Sequence, residues 1–263
     1  MRRLTFSALL SALVAALAVP GTAVAAPGLT LPAGKVNVAL NVEVGMNDGA
    51  AAKPISLSPD VSYGVTDELT VALVHSRFAA TGFRAVAGGG LCLTGEDGGC
   101  ANVYDNAGVE AWYSLGGDAV KLAAGGGVHA LSLDGGFYAA KLGLRARWQR
   151  DALAVVALPS LFVAVTERDE VMGARVNPER LWVPVQLLYR VADPVTLGLG
   201  SGLKGPLQGF GDAWEVPLGF MGQYAVDKSL GLGASLVFGK VVGGADATGF
   251  DYRGVQLWAS YTM

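Results

Sequence analysis

Tyr63-Gly64-Val65-Thr66-Asp67-Glu68-Leu69-Thr70-Val71-Ala72-Leu73 is the stretch from which the fold is read. Val61, Tyr63 and Val65 occupy alternate positions before a short polar turn, and Leu69, Val71 and Leu73 repeat the pattern after it. Side chains in a strand point to opposite faces in turn, so period-two alternation on both sides of a tight turn reads as a β-hairpin. The unit recurs to the end of the chain. Repeated amphipathic hairpins build an all-β, closed antiparallel transmembrane β-barrel, because lipid offers nothing to satisfy an open sheet edge.

Counting outward from that hairpin predicts 12 strands, with ten or fourteen as the neighbouring counts if a hairpin is split or merged. They fall at 36–44, 55–65, 69–77, 106–115, 120–131, 137–150, 153–166, 180–191, 195–203, 214–226, 230–238 and 251–263. The connections near Thr66, Gly117, Arg150, Asp193 and Asp227 are mostly shorter than those between them, with the loop at Asp134 as the exception. Short periplasmic turns and longer outer loops are the asymmetry of such barrels, which places both termini in the periplasm.

Residues 1–25 read as a secretory signal peptide, leaving 26–263 as the barrel. Arg2 and Arg3 precede an apolar core at 9–19, and Ala23-Val24-Ala25 is a small-residue cleavage signal. Export through the periplasm to the outer membrane follows. Without Arg2 and Arg3 the 19 basic residues fall to 17 against 22 acidic ones, a mature charge of about −5. With no basic stripe, nucleic-acid binding is not expected. The chain is 52% hydrophobic, yet its longest mature apolar run, 152–165, is too short to span and is interrupted by Pro159, which argues against a membrane helix. Cys92 and Cys100 are the two cysteines, and an exported chain predicts a disulfide between them. A reduced pair and a metal site are the rival readings. The absence of a nearby His or a second Cys pair weighs against metal.

The hairpin at 63–69 resembles a phrase common in Gram-negative outer-membrane β-barrel proteins. The C-terminal Tyr252-Arg253-Gly254-Val255-Gln256-Leu257-Trp258-Ala259-Ser260-Tyr261-Thr262-Met263 is similar to the terminal strand signal of that class, with Leu257, Ala259 and Tyr261 on its apolar positions. Met263 departs from the usual terminal Phe. The resemblance implies a porin-like barrel in contact with outer-membrane lipid and lipopolysaccharide, inserted by the barrel assembly machinery.

Phasing sorts the side chains. Leu181, Val183, Val185 and Leu187, with Leu230, Leu232 and Leu236, form the lipid set. The opposite phase carries Glu43, Asp60 and Glu110 on strands one, two and four, then Lys121, Lys141, Arg145, Arg147, Arg180 and Arg190 on strands five, six and eight. These nine are the expected lumen lining, since charge is tolerated only in a wet or paired interior. Lys121 should lie opposite Arg147, with Glu110 as the candidate partner for the pair. Gly198, Gly200, Gly202, Gly231 and Gly233 share the lumen phase and would leave space inside, while Gly125 to Gly127 either make room or bend their strand. Leu158 and Phe162 are placed to meet Trp182 and Leu188 in an internal apolar patch, better read as interior packing than as a ligand site. Tyr189, Tyr224, Tyr261 and Trp214 fit interfacial girdles.

An enzyme is not expected. His75 and Ser76 are sequence neighbours and point to opposite faces of a strand, and His129 with Ser132 has no orienting partner. Both histidines read as rim residues. The expectation is a narrow passive channel for small polar or anionic solutes, needing no cofactor. The alternative is a closed structural or surface-binding barrel whose disulfide-pinned second loop meets a partner.

Overall fold

A computed structural model describes residues 29–47, 53–84, 89–95, 97–100, 103–133, 135–171, 174–175, 177–244 and 250–263. The expected signal peptide, the tip of the first loop at 48–52 and Asp134 lie outside the described residues.

The wall begins with β1 (Val36–Gly45), β2 (Ile55–Gly64) and β3 (Leu69–Val74). The chain then leaves it through a short helix, α1 (Arg77–Thr81), and returns by β4 (Gly90–Cys92) and β5 (Tyr104–Asp105). The wall resumes with β6 (Ala107–Gly116), β7 (Val120–Ser132), β8 (Phe137–Arg150), β9 (Leu153–Ala157) and β10 (Ser160–Ala164). A loop hairpin of β11 (Glu170–Val171) and β12 (Ala174–Arg175) precedes β13 (Arg180–Ala192) and β14 (Val195–Pro206). After α2 (Phe210–Ala213) the wall is completed by β15 (Glu215–Ala225), β16 (Leu230–Gly243) and β17 (Arg253–Thr262).

Each wall strand pairs antiparallel with its neighbours, and β17 pairs β1 from Asn37↔Thr262 to Gly45↔Gly254. The ring is therefore closed. With β9 and β10 counted as two halves of one stave, the described residues form a 12-strand barrel. That stave is broken at Leu158-Pro159, because proline has no N–H for the ladder. Across the break the chain still bonds to both neighbours, with Leu158 N donating to Pro184 O on β13 and Pro159 O accepting from Leu144 N on β8.

The defining hairpin pairs Val61↔Leu73 and Tyr63↔Val71, closed by the Val65 and Thr66 amides donating to Leu69 O. The apolar phase faces out. Val109, Leu142, Leu197, Leu232 and Leu257 are exposed, whereas the alternate positions Glu43, Glu110, His129 and Gln256 are fully buried within the ring. A belt of exposed leucine and valine around a polar interior inverts the arrangement of a soluble domain, and lipid is the solvent in which it is stable. Exposed Tyr63, Tyr113, Tyr189 and Tyr261 gather near the short-turn end. Among the described residues no helix is long and apolar enough to cross a membrane.

The third strand ends at Val74, short of the expected Arg77. The Asp60 carboxylate causes this. It accepts from His75 N at 2.7 Å and Ser76 N at 2.9 Å, taking both amides out of the β2–β3 ladder. Ser76 then caps α1, accepting from Ala79 N at 3.0 Å, and Gly82 ends the helix with a φ of 76°. The excursion returns to pair β4 with the other end of β2, at Ser56↔Cys92 and Leu57↔Leu91. Cys92 and Cys100 form the disulfide that pins this flap.

Candidate functional site

The segment 76–84 folds into the barrel rather than standing out from it. Ser76, Ala80, Thr81 and Phe83 are buried. Gly82 O accepts from Gln186 Nε2 on β13 at 3.4 Å, and Ala79 O accepts from Lys141 Nζ on β8 at the same distance. Phe83 packs against the Trp182 ring at 5.9 Å. Arg84 reaches β17, donating to Gln256 Oε1 at 3.3 Å and placing its guanidinium 3.7 Å from the Trp258 ring centroid and 4.1 Å from that of Phe78. One short segment thus touches walls on opposite sides of the ring.

The inward glycines serve this arrangement. A Cβ on Gly233 would lie 2.0 Å from the Trp258 ring, one on Gly198 2.6 Å from Met221 Cγ, and one on Gly202 3.0 Å from Phe83 Cζ. The room at these three is filled by those side chains, so it is not the open lumen expected there, whereas a Cβ on Gly200 would meet nothing nearer than the Met221 methyl at 3.5 Å. Gly125 and Gly143 do the same for Trp112, whose ring carbons lie 2.8 and 3.0 Å from where their Cβ atoms would be.

Charge is concentrated on the inner face of β6 to β8. Glu110 Oε1 receives Lys141 Nζ at 2.6 Å and meets His129 Nε2 at 2.9 Å. Its Oε2 accepts from Trp112 Nε1 at 2.6 Å and lies 3.7 Å from Arg145 Nη2. Arg145 stacks 3.8 Å from the Trp112 ring and donates to Leu29 O at 3.2 Å, so the described N-terminal strip also enters the short-turn end. Glu110 thus collects Lys141 and Arg145. Arg147, buried, donates to Gln149 Oε1 at 2.7 Å. Lys121 lies directly opposite Arg147 in the β7–β8 register and is exposed at the short-turn rim.

The remaining site candidates are dispersed. Glu43 Oε2 accepts from Gly89 N at 3.0 Å, Arg180 stands at the loop end of β13, and Arg190 is exposed at the opposite end of the same strand. His129 is not a rim histidine, being fully buried against Glu110 and 5.3 Å from the Phe162 ring. His75 is half-buried, with its ring edge-on to Tyr104 at 5.8 Å.

Above α1, at the loop end, lies a cavity of about 320 Å³ lined by Arg77, Arg180, Phe137, Phe162, Trp182 and Asn106 among others. Phe162 and Trp182 meet there, their centroids 6.4 Å apart. Of the groups that matter most, Arg77, Arg84 and Trp258 escaped the sequence reading. The helix signal was present, since Ser76 and Gly82 bracket Arg77-Phe78-Ala79-Ala80-Thr81 as cap and stop.

No protein-family model matches the sequence, and no curated protein matches it. Solved structures do. The NanC porin superposes with a TM-score of 0.59 at 13% identity, over 84% of this chain and 98% of that one. The KdgM porin in complex with disordered oligogalacturonate gives 0.51 at 10% identity, over 85% and 98%. At such identities the likeness is one of fold: this chain shares with those two structures a closed antiparallel 12-strand β-barrel, and its apolar belt is that of a barrel standing in lipid.

Proposed function

We propose that the chain is a narrow, passive outer-membrane channel for small polar solutes that favours anions. The observation that carries this is the row Lys141, Arg145 and Arg147 on the inner face of β8. These three cations share the inward phase of the strand, with Gly143 between Lys141 and Arg145, and Arg84 approaches from the segment across the lumen. Glu110 compensates part of that charge and holds it in place. Glu43 and Asp60 are occupied in fixing the loop, through Gly89 N and through the His75 and Ser76 amides. Segment 76–84 sets the width of the path. Lys121 and Arg190 sit at the short-turn mouth, and Arg180 at the other. Transport down a gradient requires no cofactor and no catalytic group. Export through the periplasm, insertion by the barrel assembly machinery and contact with lipopolysaccharide belong to the same reading, supported by the C-terminal strand and the apolar belt.

The test is the reversal potential of the protein in a planar bilayer under a potassium chloride gradient. Chloride preference is expected, and neutralising Arg145 and Arg147 to Gln should move the potential toward cation preference. Folded protein that never conducts would overturn the reading in favour of a closed structural barrel. Selectivity unchanged in the variant would remove the basic row from it.

A further inference from the structure

The cavity above α1 has a mixed lining. Phe137, Phe162 and Trp182 provide aromatic surface and Arg77 with Arg180 provides positive charge, Arg180 standing opposite Phe162 in the β10–β13 register. The arginines are near enough to interact electrostatically, with Glu215 close to Arg180, Glu43 close to Arg77 and Asp105 in the lining. A bound carboxylate would gain charge-assisted hydrogen bonds from guanidinium groups brought together in this way.

The neutral polar groups of the lining are already committed to the backbone. Asn106 Nδ2 donates to His75 O at 2.9 Å, and Asn177 Nδ2 to Thr166 O at 3.0 Å and Tyr138 O at 3.1 Å. Thr81 Oγ1 donates to Arg77 O at 2.8 Å, and Ser132 Oγ accepts from Gly135 N at 3.0 Å. A ligand with many hydroxyls would find few partners here, and each unpaired hydroxyl would count against it. Trp182 Nε1 and Asn106 Oδ1, by contrast, are buried with no hydrogen-bond partner among the described residues, a cost that one or two polar groups on a ligand would relieve. At about 320 Å³ the space stands at the small end of ligand pockets and suits a single ring.

We infer that this cavity is a binding site for small aromatic carboxylates, the carboxylate held by Arg180 and Arg77 and the ring packed against Phe162, Trp182 and Phe137. The inference rests on the channel reading only for how the solute is carried onward. Binding itself needs no conduction. Arginine suits the task because its planar fork takes both oxygens of a carboxylate.

Saturation-transfer NMR on the full chain, refolded in detergent and checked for heat-modifiable migration, tests it with benzoate, benzyl alcohol and glucuronate as probes. Benzoate should show saturable transfer to its ring protons. Benzyl alcohol, lacking the charge, and glucuronate, lacking an aromatic ring, should each bind about tenfold more weakly or worse. Arg180→Gln should weaken benzoate by about tenfold, and Arg180→Lys should fall between, keeping the charge but losing the fork. Glucuronate binding as tightly as benzoate, or benzoate binding unchanged in folded Arg180→Gln, would overturn the assignment. The two readings fail separately. Benzoate binding by a barrel that does not conduct removes the channel and keeps the site, while conduction without benzoate binding does the reverse.

Discussion

The guanidinium of Arg84 lies 3.7 Å from the ring centroid of Trp258, joining the first long excursion of the chain to its last strand. With Gln256 Oε1 accepting from the same group, this contact holds segment 76–84 across the lumen. A cation stacked on an indole away from bulk water contributes about 2 kcal/mol. It is a local tie on a loop, and the barrel wall does not depend on it.

Arg84→Ala should therefore leave the barrel folded and loosen its interior. Single-channel recordings are expected to show higher conductance and more gating noise than wild type. Equal conductance, in protein whose heat-modifiable migration is normal, would place the narrowest point elsewhere.

Gly233→Ala tests the same tie from the wall. The added Cβ would sit 2.0 Å from Trp258, a ring with no flexible end to move aside. A cost of about 1–3 kcal/mol is expected in urea unfolding. Gly200→Ala, where the nearest atom is the Met221 methyl at 3.5 Å, should cost much less. Equal costs at the two positions would contradict the packing described.

Glu110 is fully buried and is the shared acceptor for Lys141, Trp112 and the His129 ring, with Arg145 close by. Glu110→Gln strands the buried Lys141 charge, and about 3–5 kcal/mol of stability should be lost. Lys141→Met in the same background should recover part of it, since the two positions share one network. Additive losses in a double-mutant cycle would show the pair to be uncoupled.

The turn at Asp227 gives a pH signature. Ser229 N, Leu230 N and Ser229 Oγ all donate to Oδ1, at 2.7, 2.8 and 2.9 Å. These bonds, the Ser229 amide foremost, hold the exposed carboxyl below its ordinary value of 3.8. A depressed value in the folded state means that the stabilisation is complete above the unfolded value and is lost as pH falls through the folded one. Asp227→Ala should thus lower the urea midpoint at about pH 7 and leave the gap to wild type nearly closed at about pH 2. A gap independent of pH would contradict the assignment.

The wall was legible in the sequence because lipid makes the pattern strict: a one-residue slip would turn Leu142 inward and Lys141 into hydrocarbon. Even the Lys121↔Arg147 register follows from counting back along the hairpin. The interior was harder to read for a physical reason. Inside a ring, residues far apart in sequence meet, as Phe83 does with Trp182, and no periodicity records such contacts. The break at Val74 was hidden because it depends on Asp60, a residue of the preceding strand. Gly198, Gly202 and Gly233 misled for a related reason, since a missing side chain looks like empty space until the partner that fills it is known.

Labelling of a cysteine placed at Ala80 measures the central feature, the segment folded into the lumen, most directly. Ala80 is 1% exposed, and Leu207, in a loop at the same end, is 47% exposed. In vesicles, with the Cys92–Cys100 disulfide intact, Leu207→Cys should react at once with a bulky polyethylene-glycol maleimide, while Ala80→Cys resists until the protein is unfolded. Ala80→Cys labelling in the folded barrel as fast as Leu207→Cys would put the segment outside, and the constricted channel would fall with it.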